Sequence, residues 1–291
     1  MPEALKPLDG FTFGCDPELF LFDINTGEYI SPDGLIPGTK EDPFKVPGGA
    51  IQQDGMAAEF NIDPASTYSE FDKNIRMVTD YLQASLPKGV VLQALPAVTF
   101  SEKVWEGASD VAKMLGCSPD MNAWTGDFNP PPNGDTIPRM RTASGHLHVG
   151  WTDDESLADE EHIGHCRDLV KQFDWYLGAW SLMFDTDPTR RKLYGKAGAC
   201  RYKPYGVEYR VLSNFWVMNP KARLQTWNRM VCAINDMQRT FVPGSKGLQA
   251  APTLDPTSAF TFNDLLVKSI DSSTRDAILE GKFVYPIRAF R

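Results

Sequence analysis

Apolar and polar positions divide the chain into recognisable elements. Residues 11–22, FTFGCDPELFLF, are rich in β-prone aromatics and predict a strand, and DINTGEYI then supplies a turn and a hairpin return. Residues 31–48 hold Pro, Gly and Lys and read as a loop. GGAIQQDGMAAEFNI predicts two short strands about the turn Gln53-Asp54-Gly55. Over 67–85, Tyr68, Phe71, Ile75, Val78 and Leu82 follow helical spacing. GVVLQALPAVTF predicts a further strand, and 116–142, which contains PPPNGD, a long loop or lid. GHLHVGW is a short strand bounded by glycines. Residues 155–184 predict one long helix, acidic at its start and apolar later, with Trp175 and Trp180 in its core-facing stripe. A basic loop, DPTRRKLYGKAGACRYKPYG, leads to the strand VEYRVLSNFW. A helix over 219–240 begins at Pro220, and two short helices are expected beyond 262. Hairpin-like strands interspersed with helices indicate an α+β fold on a largely antiparallel sheet.

Against this pattern the polar interruptions stand out. Asp16 and Glu18 are two apart and share a strand face, as do His146 and His148, and Glu208 and Arg210. Glu59 sits among small and apolar residues in AAEFNI. An ionised carboxylate inside a sheet is costly unless it is paired or binds a metal. Four strands presenting D-x-E, E, H-x-H and E-x-R on one concave face would compensate one another through bound cations. Such a set is rich in oxygen, has one or two imidazoles and no thiolate, and suits Mg²⁺ or Mn²⁺ better than zinc.

Composition narrows the function classes. The net charge of −9 argues against general nucleic-acid binding. The five scattered cysteines form no C-x-x-C pair, which fits a reducing cytosol. The first residues, MPEALKPLDG, lack the features of a signal peptide, and no apolar run approaches membrane-spanning length. Cytoplasmic localisation is the expectation.

Other chemistries that use H-x-H fail on what is missing. Cupins and amidohydrolase barrels need later histidines, and none follows His165. G-x-S-x-G, Walker A and G-x-G-x-x-G are absent. Glu161-His162 with His165 reads as a solvated face of an acidic helix.

In this order, GCDPELFLFD, GGAIQQDGMAAEFNIDPA, SGHLHVGW and YGVEYRVLSNFW resemble the carboxylate–amine ligases (amidoligases) of the glutamine synthetase and glutamate–cysteine ligase superfamily, nearest its bacteriophage-encoded branch. The motifs lie within residues 11–216; residues 217–291 would be a helical C-terminal part of a single catalytic domain spanning 1–291. The resemblance implies a glutamine synthetase-like domain, a curved antiparallel sheet with helices on its outer face, in host cytoplasm if phage-encoded.

The resemblance also implies an ATP-dependent ligase using two or three Mg²⁺ or Mn²⁺ ions. Asp16, Glu18, Glu59, His146 and Glu208 match the metal ligands, with His148 near the transferred phosphate; the two histidine roles are exchangeable. Asp54 would hold metal or the incoming amine, and Asp54 or Glu59 would act as base. Arg210 would contact phosphate or carboxylate. Glutamine synthetase carries an arginine where this chain has Gly206, so the basic role passes to Arg201 or Lys203. Arg191 belongs to the same basic stretch as Arg190, Lys192 and Lys196, placed to serve as a phosphate loop. The 116–142 segment, with Pro130-Pro131-Pro132, Arg139 and Arg141, would shield an acyl phosphate from water. Expected partners are small-molecule or peptide carboxylates and amines, with homo-oligomerisation open. A nucleotide-binding member that does not ligate, and a metal-dependent phosphotransferase on the same scaffold, are the alternatives.

Overall fold

The structure is a computed structural model that describes residues 3–114, 119–129, 139–187 and 189–239. It is a mixed α/β fold built on one ten-stranded antiparallel sheet. Its longest strand, β1 (Thr12–Asp23), carries the main alternation: Phe13, Cys15, Leu19 and Leu21 are buried in the principal core. The expected return is β2 (Glu28–Ile30), which pairs with the end of β1. The loop predicted over 31–48 contains a short edge strand, β3 (Phe44–Val46). The hairpin about Asp54-Gly55 forms as β4 (Gly49–Asp54) and β5 (Ala57–Ile62).

Helix α1 (Tyr68–Ser85) begins at a capping box, in which Thr67 accepts from the Glu70 amide and the Glu70 carboxylate accepts from the Thr67 amide. Its buried face is Phe71, Ile75, Val78 and Leu82, on the predicted period. The single strand predicted over GVVLQALPAVTF divides into β6 (Val90–Gln93) and β7 (Ala97–Thr99), which join different sheets. Two short helices follow, α2 (Glu102–Gly107) and α3 (Asp110–Lys113), each capped by a serine. Two short strands, β8 (Met121–Asn122) and β9 (Met140–Thr142), precede β10 (Gly145–Gly150).

The helix predicted over 155–184 is shorter and broken. It forms α4 (Glu160–Phe173), a π turn at Asp174–Gly178 and a last turn α5 (Ala179–Ser181). The buried Asp174 side chain accepts from Trp124 Nε1 at 2.6 Å and from the Tyr209 hydroxyl at 2.8 Å. Those two anchors occupy the position of the break. Trp180 is buried as predicted, whereas Trp175 is only half-buried.

The basic stretch is not a loop. It contains α6 (Thr189–Leu193) and β11 (Ala199–Lys203), which turns through Pro204 and Tyr205 into β12 (Gly206–Tyr209). β12 ends at Tyr209, well before Trp216, and Asn214–Trp216 is a 3₁₀ turn. α7 (Pro220–Arg239) starts at its proline, where a missing N–H costs no helical bond. The two helices expected beyond 262 lie outside the described residues. Among the described residues, no helix is long and apolar enough to cross a membrane.

The strand order β3-β4-β5-β1-β10-β12-β11-β8 puts β1 and β10 at the centre of the sheet. One face packs on α1, α4 and α7 through a core that includes Leu147, Val149, Val207 and Tyr209. On the other face, Phe20 joins Met56, Ala57, Val98 and Phe100 in a smaller core that closes one end. Beyond Phe20 that face is polar.

Gly206 has a steric reason. Its φ is +150°, and a Cβ there would lie 2.1 Å from the Val149 carbonyl oxygen and 2.9 Å from the Trp151 ring. The arginine of glutamine synthetase has no room at this position. Gly206→Ala is expected to cost about 2 kcal/mol or more, through backbone strain plus the overlap. A melting temperature equal to that of the parent protein would contradict this.

Candidate active site

Register determines which polar side chains meet. Asp16 stands opposite His146, and Glu18 opposite Glu59. His148 faces Glu208, and Glu208 faces Arg201 on the next strand. Gln52 faces Glu59 from the far side. Six adjacent strands thus lay one row of polar groups across the sheet.

Two groups with metal-ligand chemistry form within that row. Donor atoms of Asp16, His146 and Glu208 lie within 4.8 Å of one another, as do those of Glu18, Asp54 and Glu59. In the first, His146 Nδ1 is 3.3 Å from Asp16 Oδ1 and 3.6 Å from Glu208 Oε1. His148 Nε2 is 3.1 Å from the same Asp16 oxygen, and its Nδ1 is 2.5 Å from the Tyr205 hydroxyl. Asp16 Oδ1, His148 Nε2 and Glu208 Oε2 are buried without a directed hydrogen bond. Buried polar atoms are seldom left so. The converging donor set, two carboxylates and the His146 imidazole, has the chemistry to hold a divalent cation such as Mg²⁺ or Mn²⁺.

Glu208 is almost fully buried and ringed by cations. Arg210 Nη1 bonds Glu208 Oε1, and Arg201 Nη1 lies 3.6 Å from that oxygen. Lys203 Nζ is 2.9 Å from Oε2 but off the hydrogen-bonding line, so that contact is ionic rather than directed. Arg210 is fixed on its other side by Asp120, whose Oδ1 accepts from Nε at 2.5 Å.

The two groups differ in charge. Burial opposes ionisation of Asp16, but His148 and then His146 outweigh it and hold the carboxyl well below its usual range. Burial and the Asp16 charge likewise oppose Glu208, yet Arg210 and the imidazoles bring it down to about 2. In the second group the Ser144 amide, Arg190 and Arg210 act on Glu18, and Gln52 on Glu59, but burial and like charge outweigh them. Burial, then the Asp54 charge, pushes Glu18 up to about 7. Burial, followed by Asp16, Glu18 and Asp54, pushes Glu59 well above the carboxylate range. Asp16 and Glu208 are therefore ionised at neutral pH, whereas Glu18 is about half protonated and Glu59 favours its proton until a cation replaces it.

A cleft opens over this second group, lined among others by Glu18, Asp54, Ser144, His146, Arg190 and Arg210. Arg141 lines it too, lying 4.3 Å over the Trp105 ring and bonded to the Lys113 carbonyl.

No family model and no curated protein matches the chain. Among solved structures, the bifunctional glutathione synthetase from Pasteurella multocida is similar over 94% of this chain and 46% of its own, with a TM-score of 0.37 and 10% identity. The chain spans less than half that protein's length. A likeness this distant assigns no family. The resemblance to amidoligases therefore rests on the chain's own motifs.

The structure brings Asp16, Glu18, Asp54, Glu59, His146, His148, Arg201, Lys203, Glu208 and Arg210 to one face. It does not bring Arg191 there. That guanidinium is held by Ser181 Oγ at 2.9 Å and by Asp185 Oδ2 at 3.2 Å, and the adjacent Arg190 lines the cleft instead. In the predicted lid, residues 116–118 and 130–138, with Pro130-Pro131-Pro132, lie outside the described residues. The part between them is wall, tied down through Asp120 and Trp124. His162 is buried rather than solvated, with Nε2 2.8 Å from the Lys203 carbonyl oxygen, whereas His165 is exposed.

Asp120, Gln52, Ser144 and Tyr205 carry no sequence signal of this kind. Each acts through a partner distant in sequence or on a neighbouring strand.

Proposed function

We propose that the chain is an ATP- and Mg²⁺- or Mn²⁺-dependent ligase that joins a carboxylate to an amine through an acyl phosphate, forming an amide or isopeptide bond. One observation carries this reading: two separate groups of potential ligands, Asp16-His146-Glu208 and Glu18-Asp54-Glu59, share a sheet face beside a cleft that also holds arginines. Amide formation from a free carboxylate is uphill in water, so the carboxylate must first be activated. A glutamine synthetase-like catalytic domain in the cytoplasm, with small-molecule or peptide carboxylate and amine substrates, accords with this reading.

Asp16, His146 and Glu208 would hold one cation and Glu18, Asp54 and Glu59 another, with His148 beside the first. Bound there, divalent cations supply charge neutralisation for phosphoryl transfer. The protein's own groups do the rest. Arg210, locked between Asp120 and Glu208, offers a fixed guanidinium to phosphate or carboxylate. Arg201 and Lys203, facing Glu208 from β11, add positive charge along the phosphate path. Tyr205 orients His148 through Nδ1, leaving Nε2 directed at the row. Glu59, ionised once a cation is bound, or Asp54 beside it, would take the proton from the attacking amine.

Incubation with ATP, Mg²⁺ and pooled carboxylates and amines, read by mass spectrometry, tests this. ADP together with a dehydrated adduct is expected. AMP would exclude the acyl-phosphate route. ADP with a stable phosphorylated acceptor would make the protein a phosphotransferase, and no turnover would make it a binder.

A further inference from the structure

Ser144 immediately precedes β10 and lies on the His146 side of the sheet. Its amide donates to Glu18 Oε2 at 2.9 Å. Its hydroxyl oxygen accepts from Arg190 twice, from Nη2 at 2.9 Å and from Nε at 3.3 Å. A hydroxyl that accepts twice retains one hydrogen to donate. Among the described residues nothing takes that hydrogen, and Ser144 lines the cleft.

Arg190 is only 1% exposed. Its other contacts are the carbonyl oxygens of Val211, at 2.8 Å, and Arg210, at 3.1 Å. Among the described residues, every one of these partners is neutral. Burial lowers its pKa to about 10, so it remains a cation at neutral pH, with Asp185 and Glu18 acting only from a distance. A desolvated guanidinium without a carboxylate in contact is expensive to hold. The chain nonetheless makes room for it: a Cβ on Gly195 would lie 2.1 Å from Arg190 Nη1. Arg210 differs, since Asp120 and Glu208 both contact it. Among the described residues, Arg210 has two carboxylates in contact and Arg190 has none.

We propose that Ser144 and Arg190 form an oxyanion subsite in the cleft, in which the Ser144 hydroxyl, polarised by the guanidinium behind it, donates to an anionic oxygen of the carboxylate substrate. Only the identity of that anion rests on the ligase reading; the case for one follows from the Ser144 hydrogen facing the cleft and from the buried guanidinium behind it, which touches no carboxylate among the described residues. Ser144 is then a substrate contact, and Arg190 a positioning residue that acts through it.

Trifluoroacetate binding to the full chain, read by fluorine NMR without ATP or metal, tests the subsite, with inorganic phosphate in a parallel titration. Ser144→Ala is expected to weaken trifluoroacetate binding about tenfold or more, the worth of a hydrogen bond to a charged group. Ser144→Thr, which restores a hydroxyl, is expected to recover most of it, with melting curves confirming that both variants fold. Unchanged binding in Ser144→Ala, or none in the parent protein, would overturn the subsite. Phosphate binding that depends on Ser144, without trifluoroacetate binding, would overturn the carboxylate assignment and give the subsite to a phosphoryl group. Because no turnover is involved, failure of the ligase assay leaves this result standing, and the reverse also holds.

Discussion

Glu18→Gln is expected to lower the rate of ATP-dependent amide formation about a thousandfold, roughly 4 kcal/mol of transition-state stabilisation. Glu18 is where the second ligand group, the cleft and the Ser144 amide meet. Glutamine keeps an amide oxygen to accept from Ser144, so the strand contact survives. What it removes is one of three carboxylate charges around the cation. The same substitution separates damage to the site from damage to the fold. In the metal-free protein a buried Glu18 carboxylate is forced among like charges, so Glu18→Gln should melt no lower than the parent at pH 8. An unchanged kcat/KM would remove Glu18 from the site. A collapsed melting temperature would show a structural role instead.

The parts of this site that were legible in sequence share one property: strand alternation fixes the face of a residue two positions from another. That sufficed for Asp16 with Glu18, His146 with His148, and Glu208 with Arg210. It also located β4 and β5, because a tight turn flanked by alternating residues sets register by itself. The basic stretch misled for the same reason in reverse. Its charges suggested a loop, while Cys200 and Tyr209 pair across a hairpin that turns Arg201 and Lys203 toward Glu208. Arg190 and Arg191 are adjacent, and only the packing of a five-residue helix decides which of them lines the cleft. Asp120 is less readable still. Its role is set by Arg210, ninety positions away, and no local period records such a pair. The broken helix at Asp174 is a further case, since the buried contacts to Trp124 and Tyr209 lie outside the helix's own pattern.

The charge difference between the two ligand groups leads to the second large effect: Mn²⁺ or Mg²⁺ binding should weaken at least about thirtyfold from pH 8 to pH 5.5. A carboxyl titrating at about 7, as Glu18 does, is about nine-tenths ionised at the upper pH and about 3% ionised at the lower. Glu59, also raised, steepens the dependence. Stability of the metal-free protein should move in the opposite direction. Folding raises the Glu18 pKa, so between about pH 4.5 and 7 the folded state holds a proton that the unfolded chain has released. That contribution is complete below this window and lost by its upper end. Asp16 and Glu208 are depressed instead, so their contribution is present above about pH 4 and disappears only in stronger acid. Melting curves from pH 5 to 8 should therefore fall without metal and flatten or rise when Mn²⁺ is added. In Glu18→Gln the fall should be smaller and the pH dependence of Mn²⁺ binding shallower. Titration calorimetry in buffers of different ionisation enthalpy would count the protons released on binding. Release of none at pH 6.5 would mean that Glu18 and Glu59 do not give way to a cation, and the second ligand group would then be a hydrogen-bonded acid pair, not a metal site.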